Sequence, residues 1–182
     1  MQADRTSAYA RLPMRRTATA LALALALAGC EADLGANSAQ TEAGAGGGRG
    51  KVDARVTKNT DGDTLRLSGI GRVRLIGVDT PEVYGGVECY GREASAFTER
   101  VLPPGTRVRY RLGVEPRDRY GRALAYVWLR DGRFFNLMLV DRGYAQVLTI
   151  PPNVDYADRF RDAQRRARQE ERGLWSPATC AG

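Results

Sequence analysis

Residues 73 to 82 read VRLIGVDTPE, a run that opens like a buried strand and closes in acid. Val73 and Leu75 flank Arg74, so a strand here turns the two apolar side chains to one face and the guanidinium to the other. Asp79, Thr80 and Glu82 then crowd around Pro81 at the strand's exit. The stretch DGDT, residues 61 to 64, makes a similar join: Asp61-Gly62 marks a tight hairpin turn and Asp63 begins the strand that follows. Taken singly, Asp61-Gly62-Asp63 reads as an ordinary turn and DTPE as an ordinary strand exit. Taken together, on neighbouring strands, they bring Asp63, Asp79, Glu82 and Arg74 to one rim.

Outward from this stretch the period-two alternation continues. Val52, Ala54 and Val56, then Leu65 and Leu67, then Val73 and Leu75 alternate with polar residues, and Gly69-Ile70-Gly71 supplies a second turn. TRVRYRLGV and RALAYVWL read as two more strands, about five in all. REASAFTERVL places Ala94, Phe97 and Val101 on one helical face. NLMLVDRG reads as a helix capped by Asn136 and stopped at Gly143, and the helix carrying Tyr156, Phe160, Ala163 and Ala167 is predicted to end at Gly173. Five short strands with helices between and after them predict an α+β domain, mainly β: a five-stranded Greek-key barrel of the OB type with about three helices packed on it.

Composition narrows the chemistry. The chain has 182 residues, a net charge of +7 and 28 basic residues, of which Lys51 and Lys58 are the lysines and the rest arginines. Guanidinium forks suit phosphate, so an anionic polymer is a candidate partner, although an arginine-favouring genome would produce the same bias. There is no histidine. That excludes imidazole bases and ligands, hence Ser-His-Asp triads and His-metal sites. Three cysteines are too few for a four-thiolate zinc site. Acid, base and metal work falls to carboxylates, tyrosines and arginines. Oxygen ligands without sulfur or imidazole select a hard cation, Ca2+ or Mg2+. An EF-hand is excluded, because Thr64 stands where its glycine is required and Ile70 where its glutamate is.

The N-terminal segment reads as delivery. MRRTATALALALALAGC, Met14 to Cys30, has a charged start at Arg15 and Arg16, an apolar run too short to span a bilayer, and a Leu27-Ala28-Gly29-Cys30 ending. That ending resembles the lipobox of bacterial lipoproteins, which implies removal of residues 1–29 and a lipid on Cys30; the alternative is an ordinary secretory signal. Because Met14 starts a compact signal, it is the alternative to Met1 as the expected start of the chain. Residues 30–50 are rich in glycine and alanine and lack aromatics, the composition of a flexible tether, reaching about 25 Å. Residues 51–182 are left as the folded unit. Residues 1–50 hold five basic and four acidic residues, so +6 of the +7 belongs to that unit. It is expected to act as a monomer, outside the cytoplasm, lipid-anchored to a bacterial membrane.

With Cys30 used by the lipid, Cys89 and Cys180 remain as an even pair in a compartment where disulfides persist. A bond between them is expected, against the alternative of two buried thiols.

The segments DGDT, VRLIGVDTPE, YGREASAFT, RDRYGRALAYV, LVDRGYA and GLWS, in this order and spacing, resemble the staphylococcal nuclease (thermonuclease) family over roughly residues 51 to 176. The resemblance implies an OB-fold barrel and a Ca2+-dependent phosphodiesterase acting on DNA and RNA. Single-stranded DNA and RNA are the expected substrates, double-stranded DNA is cut more slowly because its strands must open, and products end in 3′-phosphate. Carried over by position, Asp63 and Asp79 correspond to carboxylate ligands of Ca2+, with the Thr80 main-chain carbonyl as a third. Glu82 corresponds to the glutamate beside the attacking water, and Arg74 and Arg122 to two phosphate-binding arginines. Arg119 and Tyr120 correspond to positions that contact a nucleotide's terminal phosphate.

The chain also departs from that pattern. The loop VYGGVEC after Glu82 is shorter and lacks lysine, and Thr149 stands where an active-site tyrosine is expected. Tyr84 is the candidate replacement as a stacking surface. An active nuclease and a nuclease-like module that binds nucleic acid without turnover are the two function classes left. The presence of all five side chains, Asp63, Asp79, Glu82, Arg74 and Arg122, favours the first.

Overall fold

The computed structural model describes residues 50–180. The signal, Cys30 and nearly all of the tether lie outside the described residues. Seven strands and three α-helices follow in the order β1 (Val52–Asn59), β2 (Thr64–Leu67), β3 (Gly71–Leu75), β4 (Gly77–Asp79), α1 (Gly91–Val101), β5 (Arg107–Arg117), β6 (Ala123–Leu129), α2 (Phe135–Asp141), β7 (Gln146–Leu148) and α3 (Ala157–Gln169). Strands β1-β2-β3-β6-β5 close into a barrel, and β4 and β7 pair separately. This is the expected OB-fold barrel with its three helices.

The alternation of the sequence is the alternation of burial. Ala54, Val56, Leu65, Leu67, Val73, Leu75, Val108, Ala125 and Val127 fill the interior, with Phe97, Phe135, Leu139 and Phe160 packed over them from the helices. Closure removes the edges that an open sheet of short strands would expose. Register does the functional placing. β2 and β3 pair antiparallel with Thr64 opposite Arg74, so Asp63, one residue before Thr64, lies beside the guanidinium. β3 and β6 pair in parallel with Val73 opposite Ala123, so Arg122 enters the same neighbourhood from the third strand.

The run RVRLIGV is two strands rather than one. Gly77 has a φ of +84°, and a Cβ there would run into the Phe160 ring. The left-handed turn carries the chain off the barrel and into the β4–β7 pair, which delivers Asp79 to the rim.

Two helix expectations are corrected. Asn136 does not cap α2; it lies within the first turn, fully buried, and its side chain bonds across the core. Helix α3 ends at Gln169, before Gly173, with Glu171 taking the left-handed conformation at φ 51°. Gly173 instead sits against Gly143, where the Leu174 amide donates to the Gly143 carbonyl at 2.9 Å. Gly143 ends α2 as expected, with φ at +74°.

Cys89 and Cys180 form a disulfide across a sequence separation of 91 residues, joining the loop that precedes α1 to the chain's C-terminal segment.

Candidate active site

The rim begins at the turn between β1 and β2. Asp61 folds it: its carboxylate accepts the amides of Asp63 at 3.1 Å and Thr64 at 2.7 Å, an Asx turn. Burial pushes the Asp61 carboxyl above the usual carboxylate range, against the Thr64 hydrogen bonds and the positive charges of Arg74 and Arg122. Gly62 lets this turn press on the DTPE segment, since a Cβ would meet the Thr80 side chain at 2.7 Å.

Asp63 is buried, and its carboxylate is held from three directions. Oδ2 accepts the Thr80 amide at 2.8 Å and the Thr80 hydroxyl at 3.0 Å, while Oδ1 accepts the Thr64 hydroxyl at 3.2 Å. Arg74 completes the cluster. Its Nη1 pairs with Asp63 and its Nη2 donates to Asp79 at 2.5 Å, so one guanidinium bridges the two carboxylates. Asp63 and Asp79 thus converge on a point that holds positive charge, with Thr80 following Asp79 directly.

Arg122 is held by a residue that sequence reasoning missed. Asp118 accepts the Arg122 Nε–H at 2.7 Å and the amides of Tyr120 and Arg122, each at 2.9 Å. Burial alone would raise the Asp118 pKa, but the hydrogen bonds from Arg122 and the two amides hold it below the usual carboxylate value. The signal was present: Asp118-Arg119-Tyr120-Gly121 has aspartate first and glycine fourth, the signature of a type I turn. The Gly121 amide donates to the Asp118 carbonyl at 2.9 Å, which closes that turn.

Arg74, Asp118, Arg119, Tyr120 and Arg122 line one cavity of about 450 Å³. Arg119 donates to the Tyr120 hydroxyl at 2.7 Å and lies over its ring, so the two expected phosphate contacts form a single exposed unit at the cavity mouth. Thr149 does not line this cavity; Leu148 and Ile150, on either side of it, do. The wall where the family pattern puts a tyrosine is therefore aliphatic. Glu82 is exposed, and its carboxylate enters no ion pair among the described residues; its amide donates to Glu88 at 3.0 Å.

The donor set fits a hard divalent cation. The carboxylates of Asp63 and Asp79 are bridged by one guanidinium, and Thr80, next to Asp79 in the chain, also carries a main-chain carbonyl. The chain has no imidazole, and both cysteines of the described residues are in the disulfide, so nothing in this region favours a softer metal.

A small closed barrel with carboxylates and two guanidinium groups gathered on one rim has the charge pattern of a protein that handles an anionic substrate. The chain belongs to the staphylococcal nuclease homologue family, which it matches over residues 72–177. It is 43% identical over 126 residues to the thermonuclease of Staphylococcus intermedius, an alignment that covers 66% of this chain and 74% of that protein. The thermonuclease of Staphylococcus hyicus is 40% identical over 128 residues, covering 67% and 75%. Endonuclease YhcR of Bacillus subtilis is 32% identical over 141 residues, covering 70% of this chain and 12% of that longer protein.

Proposed function

We propose that the chain is a Ca2+-dependent phosphodiesterase that hydrolyses single-stranded DNA and RNA, and double-stranded DNA more slowly, to products ending in 3′-phosphate. The observation that carries this reading is the convergence of Asp63, Asp79 and Arg74 on one point, beside the cavity that Arg122 enters. Asp63, Asp79 and the Thr80 carbonyl would hold Ca2+, which when bound supplies fixed positive charge beside a phosphoryl oxygen.

A phosphodiester carries one negative charge, and addition of water oxygen to phosphorus moves it toward two. Cations fixed in advance therefore bind the transition state more tightly than the substrate. Arg74 exchanges its carboxylate partners for phosphate oxygens as substrate enters. Arg122, held in place by Asp118, presents its free N–H groups to the same phosphate, and two forks together match the tetrahedral oxygens. Glu82, with no ion-pair partner among the described residues, accepts the proton of the attacking water at a carboxylate oxygen. The new P–O bond forms as the P–O5′ bond breaks, and the departing 5′-oxygen takes a proton from solvent. Arg119 and Tyr120 hold a neighbouring phosphate at the cavity mouth.

Purified protein is expected to degrade single-stranded DNA and RNA in Ca2+ and to lose that activity in chelator, with 3′-phosphate ends on the fragments. Activity undiminished by chelator would remove the metal from the mechanism. Tight binding without cleavage in Ca2+ would mark a module that has kept the fold and lost turnover.

The protein is further proposed to work as a monomer, outside the cytoplasm, tethered to a bacterial membrane through a lipid on Cys30. A thioether-linked diacylglycerol with an N-terminal acyl chain would anchor firmly, where a single chain binds only marginally. Intact mass of membrane-extracted protein is expected to show a chain that begins at lipidated Cys30. A soluble product with an unprocessed N-terminus would overturn the anchor.

A further inference from the structure

A second groove is lined by residues next to those of the rim, and the site described above does not use it. It holds about 570 Å³ and is lined, among others, by Lys58, Thr60, Asp61, Tyr84, Arg92 and Glu99. It shares no lining residue with the cavity of Arg74 and Arg122. The groove adjoins the rim in the chain: Asp61 precedes Asp63 by two positions, and Val83 and Tyr84 follow Glu82 directly. A chain-like substrate with its scissile phosphate on the rim extends beyond it in two directions, and two separate cavities have lining residues at or next to the rim.

The chemistry of the groove suits one kind of occupant. Lys58 and Arg92 are exposed, and neither has an ion-pair partner among the described residues. Asp61 directs its carboxylate into its own turn, onto the amides of Asp63 and Thr64. Glu99 stands two helical turns from Arg92 on α1, about 10 Å along the helix axis. Tyr84 is held across the groove by its hydroxyl, which donates to the Thr60 carbonyl at 3.0 Å, yet 66% of its surface is exposed. An anchored ring with an open face and two free cations beside it is the combination that binds a single strand: bases stack on the ring, and phosphates meet the charges. The groove is also firm, because the Thr98 hydroxyl of α1 donates to the Gly62 carbonyl at 2.6 Å and ties the helix to the rim turn.

We infer that this groove is a second substrate subsite, which takes the part of a single-stranded nucleic acid lying across the scissile phosphate from the Arg119–Tyr120 cavity. Tyr84 stacks on a base, and Lys58 and Arg92 hold phosphates of that flank. The inference rests on the nuclease reading of the rim.

The test compares a single-stranded dodecamer with a dinucleotide, whose only phosphate is the scissile one and which offers nothing to Lys58 or Arg92. In the full-length Lys58→Ala/Arg92→Ala double variant, the ratio of kcat/KM for the dodecamer to that for the dinucleotide is expected to fall at least about tenfold. The salt dependence of dodecamer binding should flatten by about 1.4 in log-log slope, the value for two lost phosphate contacts on a single strand. Tyr84→Ala should weaken dodecamer binding about tenfold, the scale of one lost stacking contact. Tyr84→Phe, which keeps the ring, should largely retain it. An active double variant with the ratio and slope of the parent protein would overturn the inference and leave the nuclease standing. A parent protein that binds the dodecamer and cleaves neither substrate would instead overturn the nuclease reading, and the salt slope would still decide the groove.

Discussion

Replacing Arg122 or Arg74 with alanine is expected to lower kcat by at least about a hundredfold, the cost of removing one preorganised donor from a site where charge develops. The two losses differ in origin. Arg122 keeps Asp118 as its partner in the resting protein, so Arg122→Ala removes a group aimed at the phosphate and leaves the Asp118 carboxylate still held by the amides of Tyr120 and residue 122. The effect should fall on kcat with little change in melting temperature. Arg74 sits between Asp63 and Asp79 with its side chain only 14% exposed, so Arg74→Ala also leaves the buried Asp63 carboxylate without its counter-charge. Here a lower melting temperature should accompany the loss of rate. Lysine at either position should restore little, because an ammonium is a point charge and cannot make the paired bonds of the fork. Steady-state kinetics of the four variants in Ca2+, beside their melting curves, checks both statements. A variant with kcat near that of the parent protein would show that the arginine is structural.

Asn136→Ala is expected to be among the most destabilising single changes in the domain, by about 2–5 kcal/mol. The Asn136 side chain accepts the Val127 amide at 2.9 Å and donates to the carbonyls of Ile76 at 2.9 Å and Ala125 at 3.2 Å. Ala125 keeps a second partner, the Ile76 amide at 3.0 Å. Alanine would therefore orphan the Val127 amide and the Ile76 carbonyl in a region where no water replaces them. Asn136→Asp should fare no better, since a carboxylate accepts the amide but has nothing to donate to the carbonyls. Thermal unfolding reads the result as a drop on the order of 10 °C. A loss of only a few tenths of a kcal/mol would mean that the helix start relaxes to satisfy the two groups. Because Ile76 lies between Arg74 and Asp79, a loosened Asn136 bridge should also lower activity at temperatures where the variant remains folded.

Much of the fold was legible because burial on a strand has a period of two and the chain obeys it. Val73 and Leu75 inward with Arg74 outward could be read from letters alone, as could the turn at Asp61-Gly62 and the stop at Gly143. The absence of histidine by itself excludes whole classes of chemistry. The candidate catalytic residues were legible for a different reason: Asp63, Arg74, Asp79 and Glu82 fall within two short stretches, each ordinary alone, whose combination resembles the family pattern.

Tertiary structure decided what depends on partners distant in the chain. Asn136 has the composition of a helix cap, and nothing local says that its amide bridges β6 and the β3–β4 break across the core. Asp118 was visible as a turn residue, but its hold on Arg122 appears only when the turn closes. The bridging of Asp63 and Asp79 by Arg74 required the β2–β3 register, which a shift of one residue would have inverted. Thr149 stands in the sequence where a tyrosine is expected, but only the structure shows that Leu148 and Ile150, on either side of it, line the cavity. Local periodicity is written in each segment's own letters, and that is what the sequence determined by itself: the strands, the helices and the residues fit for the chemistry. Which of those residues meet was decided by closure of the barrel, since closure alone brings three strands and two loops to one rim.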